Sequence, residues 1–110
     1  MASLGTLPLT GASGRTYDFE IYALDANLNA VGAVYAFTSR KEEDDGAYTH
    51  AVIYIGETGD LSMRFNGHHK EECFVKYTAN RKCIHRDDGE DSRRAKEEDL
   101  IANYYPPCND

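Results

Sequence analysis

The sequence predicts an α+β domain, a small antiparallel sheet with helices packed against it. Three segments read as the main strands, at residues 15–23, 31–38 and 48–57, ahead of the helical patterns. Helical patterns follow them in the second half. The whole chain is 110 residues, which suits one domain, 1–110, with one modest core.

Residues 15–23 alternate Tyr17, Phe19 and Ile21 with Asp18 and Glu20, the period of a half-buried strand. Residues 25–29 read as a turn. The next strand, 31–38, sets Ala33, Tyr35 and Phe37 on one face and Val34 and Ala36 on the other. A charged stretch, 40–47, reads as a loop. The third strand, 48–57, has Val52 and Tyr54 on one face. Thr58 or Asp60 caps the helix after it, which Gly67 interrupts. Residues 70–78 continue as helix with Cys73, Phe74 and Tyr77 on the apolar side. Residues 82–85 read as a short edge strand. Asp91 or Ser92 caps a last helix that stops before Pro106.

Charge and apolar content are those of a soluble globular protein. The longest apolar runs fall well short of membrane-spanning length. The first fourteen residues lack the basic start and long apolar stretch of a secretory signal. Cys73, Cys83 and Cys108 are an odd count with no close pair, which suits free thiols and a cytoplasmic location. The net charge of −7 weighs against a nucleic-acid partner in bulk. Its distribution weighs the other way. Residues 61–86 hold six basic side chains (Arg64, Lys70, Lys76, Arg81, Lys82, Arg86) and two acidic ones (Glu71, Glu72). That composition allows a local basic face.

The stretch richest in chemistry runs from Tyr54 to His68. Its apolar strand stops at Gly56 and a turn, and a short amphipathic segment then places Arg64 and His68 four residues apart. On a helix that spacing sets a guanidinium and an imidazole one turn apart on one face, a pairing that suits an oxyanion or phosphate. Near the C-terminus, Leu100, Ile101 and Tyr104 follow Glu97 at i+3, i+4 and i+7, so this carboxylate shares an apolar stripe. A carboxylate there must be paired, metal-bound or neutralised. Arg93 and Arg94 on the same helix are alternative partners for it. His68, His69, Cys73, Cys83, His85 and Cys108 have zinc-binding side chains, but no Cys-x-x-Cys or His-x-x-x-His spacing accompanies them.

Taken together, these motifs resemble the GIY-YIG nucleases. Gly32-Ala-Val-Tyr35 stands at the first motif and Tyr54-Ile55-Gly56 at the second. Arg64 is ten residues after Tyr54, His68 is four further on, and Glu97 opens Glu-x-x-Leu-Ile twelve residues before Asn109. The resemblance covers about residues 31–109. It implies a three-stranded antiparallel sheet flanked by helices, to which residues 15–23 would add an N-terminal strand. It also implies an endonuclease that hydrolyses DNA phosphodiester bonds with one divalent cation, Mg²⁺ or Mn²⁺, held by Glu97. By the same resemblance Arg64 contacts the scissile phosphate, and Tyr35 is the general base. Tyr54 and His68 position that base or the water, and Asn109 orients the site. DNA would meet the basic 61–86 face, or a partner protein would supply affinity. Two departures stand out. Ala33-Val34 replaces the usual Gly-Ile, and Glu57 stands where several members carry lysine. The alternative is a catalytically weakened or inactive module that keeps the fold and binds nucleic acid or protein.

Overall fold

A computed structural model describes residues 3–64 and 70–109, the side chains of Met63 and Arg64 excepted. Among the described residues five strands form one antiparallel sheet: β1 (Thr6–Thr10), β2 (Thr16–Ala23), β3 (Ala33–Glu42), β4 (Tyr48–Thr58) and β5 (Arg81–Arg86). Their order across the sheet is β1-β2-β5-β3-β4. Three helical segments accompany them, α1 (Leu61–Arg64), α2 (Glu71–Lys76) and α3 (Glu90–Tyr104). The class is therefore α+β, with a sheet larger than the three strands and N-terminal addition implied by the resemblance.

Two strands account for the difference. β1 has only Leu7 and Leu9 in alternation, with Pro8 between them. Proline cannot donate to a ladder and confines a strand to an edge, which is where β1 lies. β5 was expected at an edge but stands at the centre, paired with β2 on one side and β3 on the other. Its brevity and its lysine suggest an edge, yet Lys82, Cys83 and Ile84 are all buried. The charged stretch after β3 is also partly strand, because pairing continues to Glu42 opposite Tyr48.

Each face of the sheet buries its own apolar cluster. One contains Ala33, Tyr35, Phe37, Tyr54 and Ile84, closed by Leu61 of α1 and Phe74 of α2. The other contains Leu9, Phe19, Ile21, Val34, Ala36, Ile55 and Cys83, closed by Leu100 of α3. A register shift between Phe37 and Thr38 inserts one extra residue in β4. Ile53 and Tyr54 consequently both face α2, and Val52 packs on the α3 side. Val52 and Tyr54 are thus on opposite faces, contrary to simple alternation.

Helix α3 is tied down along its length. At its start Asp87 accepts from the Gly89 amide at 3.0 Å and the Ser92 hydroxyl at 2.5 Å. Ser92 therefore serves the helix start through Asp87, and Gly89, not Asp91 or Ser92, holds the cap position. Further on, Asp99 accepts from the Ser13 amide and hydroxyl and from the Tyr17 hydroxyl. Those bonds fasten the β1–β2 hairpin to the helix. The helix ends at Tyr105, whose left-handed φ of 45° turns the chain into Pro106.

The tail then bends around the free edge of β4 to the other face, where Cys108 is bonded to Cys73 of α2. Only Cys83 is a free thiol. The expectation of three free cysteines is wrong, and with it goes the cysteine support for a reducing compartment. Among the described residues no helix is long and apolar enough to cross a membrane.

Candidate functional site

The two motif tyrosines meet on the α2 face. Tyr35 lies opposite Gly56 and Phe37 opposite Tyr54 in the β3–β4 ladder, so the two rings are diagonal neighbours with centroids 6.1 Å apart. Phe74 packs against Tyr54 edge-on at 5.5 Å and stacks on Phe37 at 4.3 Å. Tyr35 is fully buried and Tyr54 nearly so. The glycine of the second motif has a steric reason here. A Cβ on Gly56 would overlap the Tyr35 hydroxyl and ring carbons. Glycine is what lets the Tyr35 ring lie flat across β4.

Asn109 secures the same strand from outside. Its Oδ1 accepts from the Ile55 amide at 2.9 Å and its Nδ2 donates to the Ile55 carbonyl at 2.8 Å. The Cys108 amide donates to the Ile53 carbonyl at 3.0 Å. One side-chain amide thus stands in for a neighbouring strand on an edge that would otherwise be open. The strand it holds carries Tyr54, Ile55 and Gly56.

Glu97 is half-buried on α3. It lies one turn from Arg93, which bonds β4, and one turn from Ile101, which packs with Ile55. By helical spacing it faces β4 from the α3 layer. The two tyrosines lie on the other face of that edge strand. α1 ends at Arg64 beside the cluster that holds Tyr35, since Leu61 is part of it. The Arg64 side chain and all of His68 lie outside the described residues. The structure therefore brings Tyr35, Tyr54 and Asn109 together around β4 and sets Glu97 across it.

Glu57 is engaged elsewhere. Its Oε1 accepts from Nε of Arg93 at 3.0 Å, with the two side chains 20% and 8% exposed. Arg93 also donates to the Asp87 carbonyl at 3.1 Å and lies so close over Gly32 that a Cβ there would strike it. Glu57 is thus the partner of a buried guanidinium that joins α3 to the sheet. Arg94 pairs with Glu90.

Sequence reasoning named Arg93 only as an alternative partner for Glu97 and missed its bond to Glu57. It also missed Lys82, which is buried on the tyrosine face opposite Phe37. Burial lowers the Lys82 pKa, and Asp25 opposes the shift. The 61–86 basic run does not make one face. Lys82 points to the tyrosine side and Arg81 to the α3 side, because successive strand residues alternate. Asp87 is held well below the usual carboxylate range, first by the Ser92 hydroxyl, then by the Gly89 amide and the Lys96 ammonium 2.9 Å away.

Among the described residues no three His, Cys, Asp or Glu side chains gather as a metal cage. By the resemblance Glu97 would hold a hard cation, for which one carboxylate with water and phosphate oxygens suffices. No protein-family model, curated protein or solved structure matches this chain.

Proposed function

We propose that this protein is an endonuclease of the GIY-YIG type, hydrolysing DNA phosphodiester bonds with a single Mg²⁺ or Mn²⁺ ion. The observation that supports it best is the tyrosine pair over Gly56. It gives the second motif's glycine a packing role that only the first motif's tyrosine explains. In this reading Glu97 holds the cation, which offsets charge that develops on the phosphate and leaving oxygen. Arg64 adds a guanidinium to the phosphate. By the resemblance Tyr35 removes the proton from the attacking water, with Tyr54 and His68 as positioning residues; that role requires its hydroxyl, buried beside Gly56, to open to the substrate. Asn109 acts through β4 by fixing the strand that presents Tyr54.

One observation favours the second reading, a weakened or inactive binding module. The place of the family's lysine is taken by Glu57, and that carboxylate is committed to Arg93. Incubating purified protein with plasmid, nicked, branched and single-stranded DNA in Mg²⁺ or Mn²⁺ separates the two readings. Cleavage that stops on chelation is the expected result. Binding without cleavage of any substrate would favour the module. A partner protein that supplies DNA affinity would reveal itself as cleavage only in its presence.

A further inference from the structure

The Cys73–Cys108 bond joins two pieces that meet around Tyr54. Cys73 precedes Phe74, whose ring lies against Tyr54 at 5.5 Å and on Phe37 at 4.3 Å. Cys108 precedes Asn109, whose side chain makes both bonds to Ile55, the residue after Tyr54. The Cys108 amide donates to the carbonyl of Ile53, the residue before it. One covalent bond therefore links the helix that packs on the tyrosine pair to the segment that holds the strand beneath it.

Neither piece is firmly built by itself. Helix α2 has six residues and no side-chain cap at its start. Helices that short form through tertiary packing, not through their own propensity. Phe74 is its buried residue and Cys73 is half-buried, while Glu71, Glu72, Val75 and Lys76 are exposed. The 106–109 segment is irregular. Its three hydrogen bonds to β4, each of modest net worth, are set against the entropy of ordering it.

The sulfurs differ in access. Cys108 is only 1% exposed, whereas Cys73 is half-buried. A thiolate from solvent therefore meets Sγ of Cys73 first. Cys83 takes no part. It is fully buried in the cluster on the other sheet face, and burial pushes its thiol up to about 11.

We propose that the Cys73–Cys108 bond is a redox latch on the tyrosine face, released by a dithiol. It regulates the site of the nuclease reading, and rests on that reading for its purpose. One thiolate of the dithiol attacks Sγ of Cys73. The S–S bond breaks, and Cys108 leaves as a thiolate that takes up a proton. The second thiol attacks the mixed disulfide, frees Cys73 and closes the reductant's own disulfide, so two electrons pass to the protein. With the link gone, α2 and the 106–109 segment come away from β4, and Tyr54 opens to solvent.

Dithiothreitol is the probe, with iodoacetamide to trap thiols of the folded protein and peptide mass spectrometry to read each cysteine. After reduction Cys73 and Cys108 should both alkylate, Cys108 at least about tenfold faster than Cys83, because local opening takes less free energy than global unfolding. In the trapped protein Tyr54 should become open to nitration by tetranitromethane, while in the oxidised protein it stays protected. Cys83 is the internal control. Equal labelling of all three cysteines means global unfolding and makes the bond a plain staple. Labelling of Cys73 without Cys108 means that the segment stays docked. Either pattern, an absence of labelling, or a protected Tyr54 in the trapped protein overturns the latch. These readouts need no DNA, so failure of the latch is distinguishable from failure of the nuclease reading.

Discussion

Glu57→Lys puts the family's usual lysine back, and from sequence alone it should tighten DNA binding at low salt. The structure assigns a different outcome. The substitution removes the carboxylate 3.0 Å from Nε of Arg93 and brings a second cation towards a guanidinium only 8% exposed. Breaking a buried ion pair by losing one partner costs about 3–5 kcal/mol. Glu57 is itself one-fifth exposed, and Arg93 keeps its bond to the Asp87 carbonyl, so the lower end applies, about 3 kcal/mol. At roughly 4–8 °C per kcal/mol for a domain of this size, the melting temperature should fall by roughly 12–24 °C. Thermal unfolding of the wild type, Glu57→Gln, Glu57→Lys, Arg93→Met and the double variant Glu57→Gln/Arg93→Met measures this directly. Gln retains an acceptor for Arg93 and should lose less than Lys. The cycle between Glu57→Gln and Arg93→Met should show coupling, as contacting residues do. A Glu57→Lys protein that melts with the wild type and binds DNA more tightly would refute the structural role.

Gly56→Ala should destabilise the protein by about 1–3 kcal/mol, because a Cβ meets the buried Tyr35 ring, with chemical denaturation as the check. Reducing the Cys73–Cys108 bond, which spans 35 residues, should lower stability by roughly 3–4 kcal/mol on the chain-entropy account, read as a lower urea midpoint in reductant. The depressed Asp87 carboxyl contributes stability that is present above the unfolded carboxylate pKa and lost as pH falls through its folded value. Asp87→Asn should therefore be less stable than the wild type near neutrality, and the gap should close in strong acid. A gap independent of pH would remove that role.

Local patterns were readable where contacts are local. Alternation placed Tyr35 and Phe37 on one face, and a hairpin between neighbouring strands makes Tyr54 their neighbour. The apolar stripe of α3 followed from spacing at Leu100, Ile101 and Tyr104. What depended on distant partners was not readable. Pro8 hid β1, and nothing local shows that β5 inserts between β2 and β3. No short spacing announces the Cys73–Cys108 bond. Glu57 meets Arg93 across 36 residues, so its family position suggested chemistry while its contact is structural. The Asn109 clamp on Ile55 depends on the tail turning at Tyr105, which a tyrosine with a positive φ does not advertise. The β4 bulge, which turns Val52 from the face of Tyr54, is likewise a property of pairing and not of one strand's sequence.

The most direct measurement is the DNA cleavage rate of Glu97→Gln beside the wild type at matched Mg²⁺ or Mn²⁺, with circular dichroism to verify the fold. If Glu97 holds the ion, the folded variant loses metal-dependent cleavage altogether. Cleavage by that variant at the wild-type rate would contradict the proposed nuclease site.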